Sequence, residues 1–477
     1  MSLAIGEGLR IREGGGGGGF TSKTLDQLKT YHAADHPGQV VVVSDGSEKP
    51  ITWAYSKSNT WVSVYSGVVL STDPAQSWDG TPKNLDLVEL GDSFIFMGGG
   101  AAGYEYYGIV TAAQRFSGQR LRRSLSRNFG RGGDGSTDAL VRLPDALATG
   151  AGVLIVHLST NDGTSTTVDG TLTALKKIRD DAALQHTATI FVAPEPRGND
   201  TYPSQRLTGA ALQNHLDRRT RMLAELPQPG CIVVDVRDLL LKPGTENDVV
   251  DGFTIDGLHM SPVGADEVWG PRIAAGIMSL APPATDLPSG TTARSKNVNV
   301  ECAGASTSSD TSTTPPTGYT GTNAGGLTGV LRYYREVTTP TGRWCRNRVS
   351  GAVPTADAAV DLLRQITLQG NLEEGKTYEV VCEYEIEAGA QNVQSLQLGF
   401  QAAGSSTTQL WDSDKYQTPF VISGKAQRGW FRTPPFTATN VVGLTDFRIR
   451  LAAYLSKLGA PVLEVRTRNF ELKEVAA

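Results

Sequence analysis

The stretch Leu85-Asp86-Leu87-Val88-Glu89-Leu90-Gly91-Asp92-Ser93-Phe94-Ile95-Phe96 decides how the chain folds. Four of the six residues before Gly91 are apolar, and the pattern then breaks into Gly91-Asp92-Ser93. This reads as a buried strand ending in a glycine turn with a serine at its tip. Such a turn exposes the serine hydroxyl, and a helix after it offers unpaired N–H groups and the positive end of its dipole. Gly-Asp-Ser is also an ordinary turn composition, so the residues further along the chain carry the weight.

From about 83 to 283 apolar runs alternate with amphipathic ones. Segments 85–90, 153–158, 189–193 and 231–236 are rich in Val, Ile or Leu and read as strands. Segments 104–116, 137–148, 168–184, 208–226 and 262–280 read as helices. Near-continuous apolar strands alternating with helices predict an α/β fold with a mostly parallel sheet covered on both faces. Functional side chains in such folds collect at the carboxyl ends of the strands, and Ser93 stands at one.

Three further signals lie at element ends in the same region. Asn128-Phe129-Gly130-Arg131-Gly132-Gly133-Asp134 is a Gly-rich loop before a helix, where backbone N–H groups can approach an anion. Ser159-Thr160-Asn161-Asp162 follows the strand VLIVHL, and Asn161 can donate its side-chain N–H to a developing oxyanion. Asp256-Gly257-Leu258-His259 sets a carboxylate three residues before an imidazole, near enough to hold Nδ1 and leave Nε2 as a base. Singly, each has a commoner meaning as a loop, a turn or a helix cap. Chemistry is favoured by their occurrence as an ordered set within one alternating domain.

The set resembles the SGNH hydrolases, also called GDSL esterases. Their four blocks are a Gly-Asp-Ser turn, a Gly in an Asn-rich loop, a Gly-x-Asn-Asp strand end and a C-terminal Asp-x-x-His. The counterparts here run in that order from residue 91 to 259. The resemblance implies an SGNH-type three-layer fold, with Ser93 as nucleophile, His259 as general base and acid, and Asp256 as orienting carboxylate. It implies an oxyanion hole made by the backbone N–H groups of Ser93 and Gly133 and the side chain of Asn161. Gly133 is preferred to Gly130 and Gly132 because it directly precedes Asp134, close to the helix start. No metal or cofactor is implied. Two departures stand out. Ser159 occupies a position where Gly is usual, and Phe94-Ile95-Phe96 leads into Met97-Gly98-Gly99-Gly100-Ala101-Ala102-Gly103, an insertion expected to form a mobile lip. His157 is expected to be a core or supporting residue, and His32, His36, His186 and His215 to occupy surface or turn positions.

The flanks differ in pattern. Residues 1–22 form a Gly-rich leader, and 23–80 a small β-rich module with a short helix at 24–31 and strands at 40–43, 52–55 and 61–65. The hydrolase-like region covers 81–283 and a Ser/Thr/Pro-rich linker or loop 284–325. Over 326–477 the apolar period changes to two, as in Tyr378, Val380, Cys382, Tyr384 and Ile386, which predicts an antiparallel, jelly-roll-like β-sandwich. Trp344, Trp411 and Trp430, with Tyr333, Tyr334 and Tyr416, could stack on sugar rings or fill the core.

The N-terminal module resembles those of bacteriophage tail fibres and tailspikes, and the sandwich resembles carbohydrate-binding modules in outline. Together these imply an esterase acting on O-acetyl groups of a bacterial surface glycan (capsule, O-antigen or exopolysaccharide). It would work from the phage virion tail at the cell surface, as a homotrimer attached through its N-terminal module. A non-catalytic glycan-binding adhesin and a secreted bacterial carbohydrate esterase or lipase are the alternatives. Composition narrows the field: a net charge of −5 gives no basic surface for nucleic acid. No apolar run approaches the ~20 residues of a membrane span, so no membrane insertion is expected. The N-terminus lacks the basic and apolar regions of a secretory signal. The four cysteines have neither metal-like spacing nor the density of a disulfide framework.

Overall fold

The computed structural model describes residues 78–98 and 108–284, and most of 329–475. Before residue 78 it describes only strand segments: 3–5, 9–11, 22–24, 40–44, 50–57, 60–63 and 69–72. The last five of these pair into one sheet in chain order. Thr24 ends a strand, and the rest of the helix expected at 24–31 lies outside the described residues, as do His32, His36, residues 99–103 and all of the 285–325 segment except strand Tyr319–Thr320.

Five strands form the central sheet: β1 (Leu87–Gly91), β2 (Asn128–Gly130), β3 (Val153–His157), β4 (Ala188–Val192) and β5 (Cys231–Val234). They lie in the order β5-β4-β3-β1-β2, and every neighbouring pair is parallel. Successive side chains on a strand point to opposite faces, so each strand feeds two cores. Leu87, Val153, Ile155, Ile190 and Val192 pack on one face with Trp269 and Ile273. Val88, Leu90, Leu154, Val156 and Phe191 pack on the other with Leu172, Leu175 and Ile178. This two-sided burial is why the strands read as unbroken apolar runs.

Among the helices are α1 (Ser93–Phe96), α2 (Ile109–Phe116), α3 (Ser136–Ala139), α4 (Leu143–Ala148), α5 (Val168–Leu184), α6 (Gly209–Glu225) and α7 (Gly270–Leu280). Two of them correct the sequence reading. The segment 137–148 is two helices, because Pro144 suits a first turn but cannot continue a ladder of N–H donors. The segment 262–280 is divided by a π-turn at Ala265–Trp269, where Pro271 has no N–H to return to the preceding turn. The Gly-rich loop is also shorter than expected, since Asn128–Gly130 pairs with β1 as an edge strand. Gly130 lies so close to α1 that a Cβ there would collide with the backbone of Ile95 and Phe96.

The C-terminal domain is a sandwich of two antiparallel sheets. Tyr378, Val380, Cys382, Tyr384 and Ile386 point into its core with Phe431, Phe447 and Phe470. On the opposite face of the same strand, Glu379 pairs with Arg432 and Glu383 with Arg468. Trp344 lies fully buried on that charged face, with the guanidinium of Arg468 4.1 Å and that of Arg428 5.8 Å from its ring centre. Trp344 is therefore not a platform for sugar, and Tyr334 is core. The side chains of Trp411 and Tyr416 lie outside the described residues.

Strand Gln427–Arg432 joins the sandwich to the α/β domain. Gln119 donates to the Trp430 carbonyl at 2.8 Å, and Gln427 donates to Asp266 at 3.1 Å. Asp266 also holds Arg115 at 2.5 Å in a fully buried ion pair, and Lys425 pairs with Glu267. The π-turn and the segment just after α2 thus both contribute to the joint between the two domains.

Candidate active site

The turn after β1 is built for a close approach. A Cβ at Gly91 would strike the His157 carbonyl of β3, so only glycine ends this strand. Asp92 then caps α1, its Oδ1 accepting from Phe94 N at 3.0 Å. Ser93 is the first residue of the helix, which begins there without delay despite the insertion that follows. Its hydroxyl lies 2.8 Å from His259 Nε2, and His259 Nδ1 lies 2.7 Å from Asp256 Oδ2.

Asp256 is fixed by its own loop: Oδ1 accepts from Leu258 N at 2.9 Å and from His259 N at 2.8 Å. Partial burial pushes its carboxyl upward, but the hydrogen bonds and charge of His259 outweigh this and hold it below the usual value. Gly257 makes the tight turn at φ +83, with Tyr202 so near that a Cβ would sit 2.5 Å from it. The three side chains expected to act together are thus in one hydrogen-bonded line.

The other two expected residues lie on adjoining loops. Arg131 N donates to the Gly91 carbonyl at 2.9 Å, which ties the Gly133 loop to the end of β1. Gly133 adopts φ +84, and among the described residues its N–H has no hydrogen-bond partner. Asn161 donates its side-chain N–H to the Asp134 carbonyl at 3.2 Å, linking the two loops. A buried carboxylate that the sequence reading left out, Asp162, locks them together. It accepts from Ser136 N and Ser136 Oγ at 2.8 Å each and from Thr171 Oγ1 at 2.6 Å. Ser159 adopts φ +85, a conformation easy only for glycine, which explains why a glycine serves well at that position.

Residues 90–266 match the GDSL-like lipase/acylhydrolase family. Among solved structures, the lipase/acylhydrolase from Enterococcus faecalis is 22% identical, with a TM-score of 0.33, and the match covers 42% of this chain and 100% of that one. A GDSL-like lipase from Bacteroides thetaiotaomicron is 16% identical, with a TM-score of 0.33, over 41% of this chain and 88% of its own. An acetylxylan esterase from Geobacillus stearothermophilus is 15% identical, with a TM-score of 0.30, over 42% of this chain and 95% of its own. No curated protein matches the chain. The family match and the geometry together support ester hydrolysis as the chemistry of the GDSL-like domain.

Beneath its nucleophile turn the GDSL-like domain holds a charged cluster that single residues in the sequence do not announce. His157 is fully buried, with Nδ1 3.0 and 3.1 Å from the two oxygens of Asp92 and Nε2 3.1 Å from Glu195 Oε2. Phe94 stacks on its ring at 4.1 Å. Burial opposes a charge on His157, but the Asp92 and Glu195 carboxylates outweigh it and raise the imidazole to about 10. Burial also pushes Glu195 up, and the His157 charge more than reverses that. His215, expected at the surface, is buried on α6 with Nε2 2.8 Å from the Glu195 carbonyl, and burial lowers it to about 4.

Raised in the fold from its ordinary value of about 6.5, His157 gives stability that is fully present below that pH and is lost as pH climbs toward 10. Urea midpoints are therefore expected to fall between about pH 6.5 and 8 in the wild type and to stay level over that window in His157→Gln. Equal slopes in the two proteins would show that His157 is neutral.

Proposed function

We propose that the chain is a serine esterase that removes acyl groups, foremost O-acetyl groups, from a bacterial surface polysaccharide. The observation that carries the reading is the unbroken line Ser93–His259–Asp256, at 2.8 and 2.7 Å, inside a domain that matches an acylhydrolase family. His259 Nε2 takes the Ser93 proton as Oγ bonds to the ester carbonyl carbon. The negative oxygen of the tetrahedral intermediate accepts from Ser93 N–H, Gly133 N–H and Asn161 Nδ2. His259 returns the proton to the departing sugar hydroxyl, leaving an acyl ester on Ser93. Water, deprotonated by His259, then attacks that ester, and His259 returns the proton to Ser93 Oγ as the acid is released.

The choice of a glycan rests on the flanking domains. A β-sandwich joined to the catalytic domain through Gln427 and Asp266 can hold a polymer while the esterase works along it, and the N-terminal β module resembles those of phage tail fibres and tailspikes. The reading extends to a homotrimeric tail protein acting at the bacterial surface. Acetate release from p-nitrophenyl acetate and from an O-acetylated capsule or O-antigen, by wild type and Ser93→Ala, tests it. Release from both substrates that is lost in the variant is the expected result. Release from the small ester alone would overturn the glycan assignment, and none from either by folded protein would leave an adhesin.

A further inference from the structure

We infer that the buried chain Asp92–His157–Glu195–Thr160 is a positioning device that sets Ser93 and Asn161 at their working separation. The inference rests on the esterase reading above. The chain of contacts is continuous. Asp92 caps the helix that Ser93 begins, through Phe94 N at 3.0 Å. His157 bridges Asp92 to Glu195, and Glu195 Oε1 accepts from Thr160 Oγ1 at 2.8 Å. Thr160 immediately precedes Asn161. Nucleophile turn and oxyanion turn are thus joined underneath, through side chains that are all buried.

The backbone reinforces the same link. Gly91 and His157 face each other in the sheet register, and Asp92 N donates to the His157 carbonyl at 3.1 Å. On the far side Arg197 donates to the Thr160 carbonyl at 3.0 Å. An ionised carboxylate only accepts, so with Asp92 and Glu195 both ionised each ring nitrogen of His157 donates, in line with the imidazole being raised by those two groups. One cation between two anions in a dry interior makes short, directional bonds that resist displacement. An apolar side chain at 157 would fill the space but leave the buried Asp92 and Glu195 carboxylates without the partner that joins them. The groups facing the cluster are Asp92 after β1, Glu195 after β4, His215 on α6 and Arg197 near Glu195. Across Phe94 stands His259, its ring centre 5.4 Å from that of Phe94.

The device acts on the transition state and not on substrate affinity, so kcat and KM should part company. Steady-state hydrolysis of p-nitrophenyl acetate by full-length wild type, His157→Gln and Thr160→Val is the test, with each variant checked by circular dichroism. A loss of about tenfold or more in kcat with KM within about threefold is expected for both, since small misplacements of reacting groups cost up to about 10². Thr160→Val keeps all the charges paired and decides the matter if His157→Gln does not fold. A folded Thr160→Val with wild-type kcat, whatever its melting temperature, overturns the inference while the esterase stands. A wild type inactive on esters overturns the esterase reading, and this inference with it.

Discussion

Ser93→Ala should lower kcat on p-nitrophenyl acetate by about 10⁴–10⁶, as loss of a nucleophile does when no other group can replace it. The structure explains why the fold should survive. α1 is capped by Asp92, and the Ser93 hydroxyl meets His259 at 2.8 Å, so the missing oxygen empties no structural bond of the helix. The melting temperature should stay within a few degrees of wild type, because surface changes away from such bonds cost about 0.5 kcal/mol or less. The measurement pairs initial rates with a thermal melt. Retention of a tenth of the activity in a folded variant would remove Ser93 from the nucleophile's role and, with it, the whole relay.

The second large effect belongs to Asn161→Ala, expected to lower kcat by about 10²–10³ with little change in KM. Asn161 spends one N–H on the Asp134 carbonyl, at 3.2 Å, and that bond orients the amide so that the second N–H is free for an oxyanion. The loop itself is held by Asp162 through Ser136 and Thr171, none of which the substitution touches. A loss that falls on KM instead of kcat would assign Asn161 to substrate binding. Because Asn161 stands at the end of the buried chain from Asp92, Thr160→Val should show a weaker form of the same kcat-only loss.

The strands were legible from the residues themselves, and the set Ser93, Asp256 and His259 through its resemblance to the SGNH blocks. Burial of a parallel sheet on both faces writes itself into the sequence as short apolar runs, and β1, β3, β4 and β5 stand within about two residues of where those runs lie. Asp256 and His259 share one turn, so their contact is a local matter of spacing. β2 escaped because three residues, one of them a glycine, carry no period, and the strand exists only by pairing with β1.

Trp344 shows the limit most clearly: alternation puts it on the outer face of its sheet, yet Arg428 and Arg468, from strands distant in sequence, close over it. His215 sat on a helix whose polar composition suggested exposure, and packing against the Glu195 loop buried it. His157 could be placed in a strand from its neighbours alone. That it is charged, and that it joins Asp92 to Glu195, depends on residues 65 and 38 positions away. The sequence by itself determined the α/β order and the alternating sandwich, because those follow from periodicity, while Ser93, Asp256 and His259 were singled out as a set by their resemblance to the SGNH blocks. Only the tertiary structure decided which polar side chains are dry and which carboxylates share a proton donor, because desolvation and long-range charge pairing exist only once distant segments have met.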